Sequence, residues 1–483
     1  MGSKKNASLT IVQMNDSHAY FDLHQEMFWE GNHAVYRQAG GYARIATIVK
    51  QIRAESPDCL FCDCGDTLHG TYPAFATQGQ AMIPILNSLG LDATTGHWEF
   101  AYGPEKLKQQ VARLNYPMLA CNVFDKTTRK PVFQQYAITE AGGFRIGMIG
   151  IAAVIVDKTM PPSFSEGIFF TLGKDELPPN IDFLRNQEKV DLVVLISHLG
   201  FTQDMKLVSE VQGIDVCLSG HTHNRLYKPV RSGKTIVIQS GCHGSFLGRL
   251  DLEVHDRKIV DYRHRLIEVE AAIKPDPKVD ELVKQALAPF RNELEEVVGE
   301  TSTALNRGTS MESTMDNFLL QALLETTGAQ LAFSNGWRYG APIVPGPVTL
   351  NDLYNMIPMN PPVSTVELKG EEITAMLEEN LERTFSCDPY QQMGGYVKRC
   401  LGLNVYMKIE NPRGLRIQKL FVGNEEVRAD KYYTATFVTM QGVPQKYGRN
   451  SENQPERAID AMRKYLANHR PLQAELRGTF ITV

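Results

Sequence analysis

The chain has 483 residues, 43% hydrophobic and 22% charged, with a formal net charge of -5. That length accommodates two to four domains, and nothing in the charge balance offers the basic excess that nucleic acid or an anionic membrane surface would require. No run of 18 apolar residues occurs, so no transmembrane helix is expected.

The first strand reads over 8–14 and ends at Asn15-Asp16-Ser17-His18. A polar, aromatic-rich loop is expected over 19–37, then a helix over 40–55 from the spacing of Tyr42, Ile45, Ile48, Val49 and Ile52. Residues 58–64 read as a buried strand that turns at Gly65 and delivers Asp66. Helices are predicted over 79–89 and 104–114, with short strands before Gly96-His97-Trp98-Glu99 and over 117–123, ending at Asn122. Further strands read over 133–138, 144–151, 190–197 (ending at His198) and 214–218 (ending at Gly220-His221-Thr222-His223). Helices over 179–188 and 202–211 separate them, and strands over 235–240, 246–254 and 258–266 follow. Strand–loop–helix repetition favours an α/β layered domain whose polar loops share one rim at the strands' carboxyl ends.

Pro275-Asp276-Pro277 marks a break, and 280–300 reads as one long charged helix, a linker. The expected domains are therefore 1–274, a linker helix 275–300, and a second α/β unit 301–483. That unit opens with a helix over 315–327 and a strand over 330–334, followed by the loop Asn335-Gly336-Trp337-Arg338. Several of the eight cysteines lie in apolar strand-like runs, which suits reduced, buried thiols. The polar N-terminus Met1–Asn6 shows no leader, so a cytoplasmic chain is expected. Met-Gly-Ser also resembles a cloning remnant, and a removed leader would make the protein periplasmic or extracellular.

Each strand-end motif alone is an ordinary turn. Together they place two carboxylates, Asp16 and Asp66, and the imidazoles of His18, His97, His198, His221 and His223 on one rim. Mixed imidazole and carboxylate donors suit Mn, Fe, Zn or Ni, and this many ligands require two ions with Asp66 shared.

The order Asp-x-His, Gly-Asp, Gly-x-x-Glu, His, Gly-His-x-His resembles the calcineurin-like metallophosphoesterases. Glu312-Ser313, Asn317 and Asn335-Gly336-Trp337-Arg338 resemble the C-terminal domain of the 5′-nucleotidase family. The resemblance implies a four-layer αββα domain joined to a smaller α/β substrate-binding domain. It implies one divalent ion on Asp16, His18, Asp66 and His223, and a second on Asp66, His97, His198 and His221, manganese first with zinc or iron as alternatives. Where the family carries Asn-His, this chain has His97-Trp98. An indole N–H only donates, so the imidazole that assists the leaving group in the family is absent at 98.

The expected roles are catalytic for Asp66, Trp98, His243 and Arg338, and substrate-binding for Asn122, Asn335, Arg338, Tyr390 and Tyr396, with Phe437 a further aromatic candidate; Asn122 and His243 are chosen for their strand-end positions and Arg338 for its guanidinium fork after a tight Asn-Gly turn. The expected activity is hydrolysis of nucleotides or related phosphomonoesters, with no nucleic-acid polymer and no membrane as partner. Gly-His-Trp-Glu-Phe, Ser240–Gly248 and Asp388–Gly395 are worded like the bacterial sulfur-oxidation thiosulfohydrolases of this superfamily, which act on a carrier protein. That chemistry, and a metal-bound protein without catalysis, are the two alternatives.

Overall fold

The computed structural model describes residues 6–483, so most of the polar N-terminal stretch lies outside it. Two compact units form: the chain up to His24 with Gln38–Pro289, and Gln25–Arg37 with Phe290–Val483.

The first unit stacks two sheets. In the smaller, Asn6–Met14 pairs parallel with Leu60–Asp63 and antiparallel with Phe246–His255, which pairs with Lys258–Glu268 at the edge. In the larger, the order is Val230–Ser232, Thr235–Ile238, Val216–Ser219, Leu192–Ser197, Phe144–Ile151, Tyr136–Ala141. Its four central strands run parallel, and their sequences are apolar on both faces, as strands covered on both sides must be. Leu9, Ile11, Leu60 and Leu250 of one sheet join Ile146, Val194, Ile196 and Leu218 of the other in one core. Helices Tyr42–Glu55, Ile83–Leu89, Leu177–Asn186 and Phe201–Glu210 complete the four-layer α/β architecture. The eight cysteines are free thiols and seven are buried, where they pack as small apolar groups.

The second unit carries a mixed sheet in the order Tyr396–Leu401, Leu331–Gly336, Tyr432–Val438, Pro362–Lys369, Arg449–Arg457. The helix Gly370–Phe385 packs on it through Ile373, Met376, Leu377 and Leu381. Phe437 packs in the same core.

Three sequence expectations change. The expected loop over 19–37 contains a hairpin, His24–Glu30 with His33–Ala39, turning at Gly31-Asn32. The strands expected before Gly96 and over 117–123 reduce to single bridges, Cys62 to Ala93 and Thr94 to Met118. The single helix expected over 280–300 ends at Leu287; a short turn, Arg291–Leu294, and a strand, Val297–Thr301, follow. Pro289 lacks the N–H that would continue the helix, and the β-branched pair Val297-Val298 sits in the strand that pairs with Gly346–Thr349.

Candidate metal centre

Parallel strands deliver their carboxyl ends to one rim, and the residues just past those ends build the site. Asp16 follows Asn6–Met14, Asp66 follows Leu60–Asp63, His198 follows Leu192–Ser197, His221 follows Val216–Ser219, and His243 follows Thr235–Ile238. The turns are tight: Asp16, His18, Asp66, His221, His223 and His243 all have φ between 48° and 72°, a conformation uncommon outside glycine. Such strain persists only where surrounding bonds over-determine it. Here they do. The Asp16 N–H donates to the Gly65 carbonyl at 2.9 Å, the His18 N–H to Asp66 O at 2.7 Å, and the His243 N–H to Asp16 O at 2.7 Å.

Asp66 Oδ2 is the hub. It lies 3.1 Å from His97 Nδ1, 3.2 Å from His198 Nε2 and 3.8 Å from His18 Nε2. Its other oxygen accepts the Trp98 backbone N–H at 2.8 Å. Asp16 Oδ1 sits 3.3 Å from His223 Nε2 and 3.6 Å from His198 Nε2. The His18 and His223 Nε2 atoms are 3.1 Å apart. Two quartets result, Asp66–His97–His198–His221 and Asp16–His18–Asp66–His223, each with its donor atoms within 4.8 Å of one another.

These residues fit divalent cations. His97 Nε2 and His221 Nε2 are buried without a hydrogen-bond partner, a costly arrangement unless another group meets them. The electrostatics agree. Burial favours a neutral His198, yet Asp66 and Asp16 outweigh it and hold the imidazole up at about 10. His223 is likewise held up at about 9, against burial, by Cys242 and Asp16. Burial pushes His18 down to about 3 despite Asp66. The two buried carboxylates thus draw positive charge onto His198 and His223, while burial holds His18 and His221 neutral.

The loops owe their order to residues whose importance the sequence did not single out. Glu99 accepts N–H bonds from Thr67 at 2.6 Å, His97 at 2.7 Å, Asp66 at 3.2 Å and Leu68 at 3.3 Å, tying the two loops together. The Gly-x-x-Glu spacing was the available signal. Asn15 Nδ2 donates to Asp16 Oδ2 and Gly241 O, both at 2.7 Å. Asp204 accepts from Ser197 Oγ at 2.6 Å and Ser219 Oγ at 2.5 Å, beneath His198 and His221.

The other expected residues divide. His243 stands beside the centre, its ring 4.7 Å from Tyr20 and 6.2 Å from both His18 and His223. Trp98 adjoins His97, with ring centroids 5.7 Å apart. Asn122 is fully buried and spends its amide on backbone: Nδ2 donates to Ala152 O and Thr171 O, and Oδ1 accepts from Ala152 N, all at 2.9 Å. That bonding gives it a structural task instead of the substrate contact expected of it. In the second unit, the Arg338 guanidinium lies 4.2 Å over the Tyr396 ring and its Nε donates to Gly394 O. Asn335 and Tyr390 are half-buried in the same unit, Tyr390 just past the Asp388 turn.

The model of the calcineurin-like phosphoesterases matches residues 9–225, and that of the 5′-nucleotidase C-terminal domain matches residues 296–440. The chain thus carries a calcineurin-like phosphoesterase domain followed by a 5′-nucleotidase C-terminal domain. Among its relatives is the bovine 5′-nucleotidase, 26% identical over 88% of this chain and 81% of that protein. The trifunctional nucleotide phosphoesterase protein YfkN of Bacillus subtilis is 25% identical over 88% of this chain, which spans only 30% of that longer protein. The same fold occurs in the sulfate thiohydrolase SoxB of Thermus thermophilus, with a TM-score of 0.92, 24% identity, and coverage of 98% of this chain and 96% of that one. A 5′-nucleotidase precursor, also from Thermus thermophilus, superposes with a TM-score of 0.86 at 22% identity, covering 99% of each chain. The chain is a metal-dependent phosphoric ester hydrolase.

Proposed function

We propose that the protein releases phosphate from nucleotides or related phosphomonoesters with two divalent ions, manganese first. The convergence of both donor quartets on Asp66 Oδ2 carries this reading. Asp16, His18, Asp66 and His223 would hold one ion, and Asp66, His97, His198 and His221 the other. When bound, such a pair supplies Lewis acidity and a lowered pKa for water. The chain's own residues prepare the place. Glu99 holds the Asp66 and His97 loops in register, and Asn15 and the His221 N–H orient Asp16. In the second unit, Arg338 stacked on Tyr396 supports recognition of an anion beside a flat ring.

A second reading rests on Trp98. An indole cannot hand a proton to a departing alkoxide, so a leaving group of low pKa, such as a sulfur-bound one, suits this site. A carrier protein would be the partner only in that case.

Phosphate release from a panel of nucleotides and simple phosphomonoesters, with Mn²⁺-reconstituted protein, tests the first reading. Turnover is expected, and Asp66→Ala should abolish it and lower the metal content. Full activity with normal metal in that variant would overturn the two-ion site, and a metal-replete wild type that releases no phosphate would favour sulfur chemistry.

A further inference from the structure

His69 lies three residues beyond Asp66 on the same loop, belongs to neither quartet, and is fully buried. Its ring stacks on the Trp98 indole, with centroids 4.8 Å apart and planes inclined by 18°. Tyr102 and Phe75 also adjoin the imidazole, at 5.8 Å and 6.3 Å between ring centroids. Tyr102 is itself fixed, its hydroxyl donating to Leu68 O at 3.1 Å and Ala74 O at 3.2 Å. Neither nitrogen of His69 has a hydrogen-bond partner. A buried imidazole that uses no polar atom contributes through its faces.

Trp98 is held at its backbone, whose N–H donates to Asp66 Oδ1, and at its ring by His69 and by Phe164, 6.2 Å away. The geometry points to His69 as a positioning residue that clamps the Trp98 indole as a rigid apolar wall beside Asp66 and His97, making that wall a determinant of which leaving group is accepted. This rests on the proposed hydrolase reading for its kinetic consequence, but not for the stack itself. The wall suits a leaving group that presents a flat or apolar surface and departs without a proton. It disfavours one that needs a donor at this place, because the indole N–H does not titrate and the spare imidazole is sealed behind it.

The test uses metal-replete full-length protein in a Trp29→Phe, Trp337→Phe background, which leaves Trp98 as the single tryptophan of the three. His69→Phe keeps a stacking ring, His69→Gln keeps polarity without the ring, and His69→Ala removes both. Folding is checked by circular dichroism and metal content by elemental analysis. His69→Phe is expected to preserve the Trp98 emission spectrum and kcat/KM. His69→Gln and His69→Ala are expected to shift the emission to the red and to lower kcat/KM about 10- to 100-fold, as misplacement of a positioning side chain does. Both ions should remain bound. Emission unchanged in His69→Ala and His69→Gln would overturn the clamp. So would a His69→Phe variant as impaired as His69→Ala, because the nitrogens, not the ring face, would then matter. If His69→Ala does not fold, the contrast between His69→Phe and His69→Gln decides. The emission readout needs no turnover, so failure of the clamp is separable from failure of the hydrolase reading.

Discussion

Asn122 shows how a polar residue at a strand end can look like a substrate contact and be something else. Its three amide bonds are all spent on the backbone at residues 152 and 171, which it ties together. Asn122→Ala would leave buried donors and acceptors unmatched, at about 1–3 kcal/mol for each orphaned group. A lowered thermal midpoint is therefore expected, with KM unchanged in whatever fraction stays folded, as read by calorimetry and steady-state kinetics. A raised KM with wild-type stability would restore the substrate role. At the same scale, the carboxylates at the hub are not interchangeable with their neighbours. Asp63, near Asp66, is pushed up to about 8 by burial and accepts from Thr67 and Thr94, whereas Asp66 is held far below the usual carboxylate range. For Asp66, burial alone would act the other way; His97 and His198 outweigh it.

At the level of elements, the centre is a packing of loops against loops. Gly70 has φ 143°, and a Cβ there would overlap His18 O and sit 2.6 Å from His18 Cβ. The Asp66 loop can approach the Asp16–His18 turn this closely only because residue 70 has no side chain. Gly70→Ala should push the His18 turn away and weaken the quartet of Asp16, His18, Asp66 and His223. Bound metal is expected to fall from two ions towards one per chain by elemental analysis, and two tightly held ions in a folded Gly70→Ala protein would contradict the loop-packing account. Gly65 makes a similar approach, with φ 88° and a notional Cβ only 3.1 Å from His198 Nδ1.

For the whole molecule, each unit has its own core, so each carries its own response to conditions. Lys398 lies inside the second unit, with Nζ donating to Gln441 O at 2.6 Å and Gly442 O at 2.8 Å. Burial, with Arg383 adding, lowers its pKa from 10.5 to about 7. The unfolded chain therefore binds a proton at pH 8–10 that the folded chain does not. Stability from this group rises as pH climbs from about 7 towards 10.5 and is lost again as pH falls back to 7. Denaturant unfolding of the second unit's transition is expected to show that rise, and Lys398→Met should flatten it. An unchanged pH slope in the variant would assign the dependence elsewhere.

Composition and periodicity were enough to read alternating strands and helices, because apolar runs such as 190–197 and 144–151 have no other way to be buried. The strand Phe144–Ile151 matches its predicted bounds. The Asp and His motifs at strand ends were equally legible, since turn chemistry and donor type are local properties. The reading of 280–300 as one helix passed over Pro289, and pairing with Gly346–Thr349 makes 297–301 a strand. Other features depended on residues far apart in the chain. Glu99 gathers four N–H groups from two loops, Asn122 is claimed by backbone 30 and 49 positions away, and His69 meets Trp98 face to face. Donor type and order along the chain were set by sequence alone. Which oxygen of Asp66 faces the imidazoles, which amide is already spent and which imidazole is buried against Trp98 were decided by the folded structure, because hydrogen bonding and burial depend on neighbours that only the tertiary fold brings within a few ångströms.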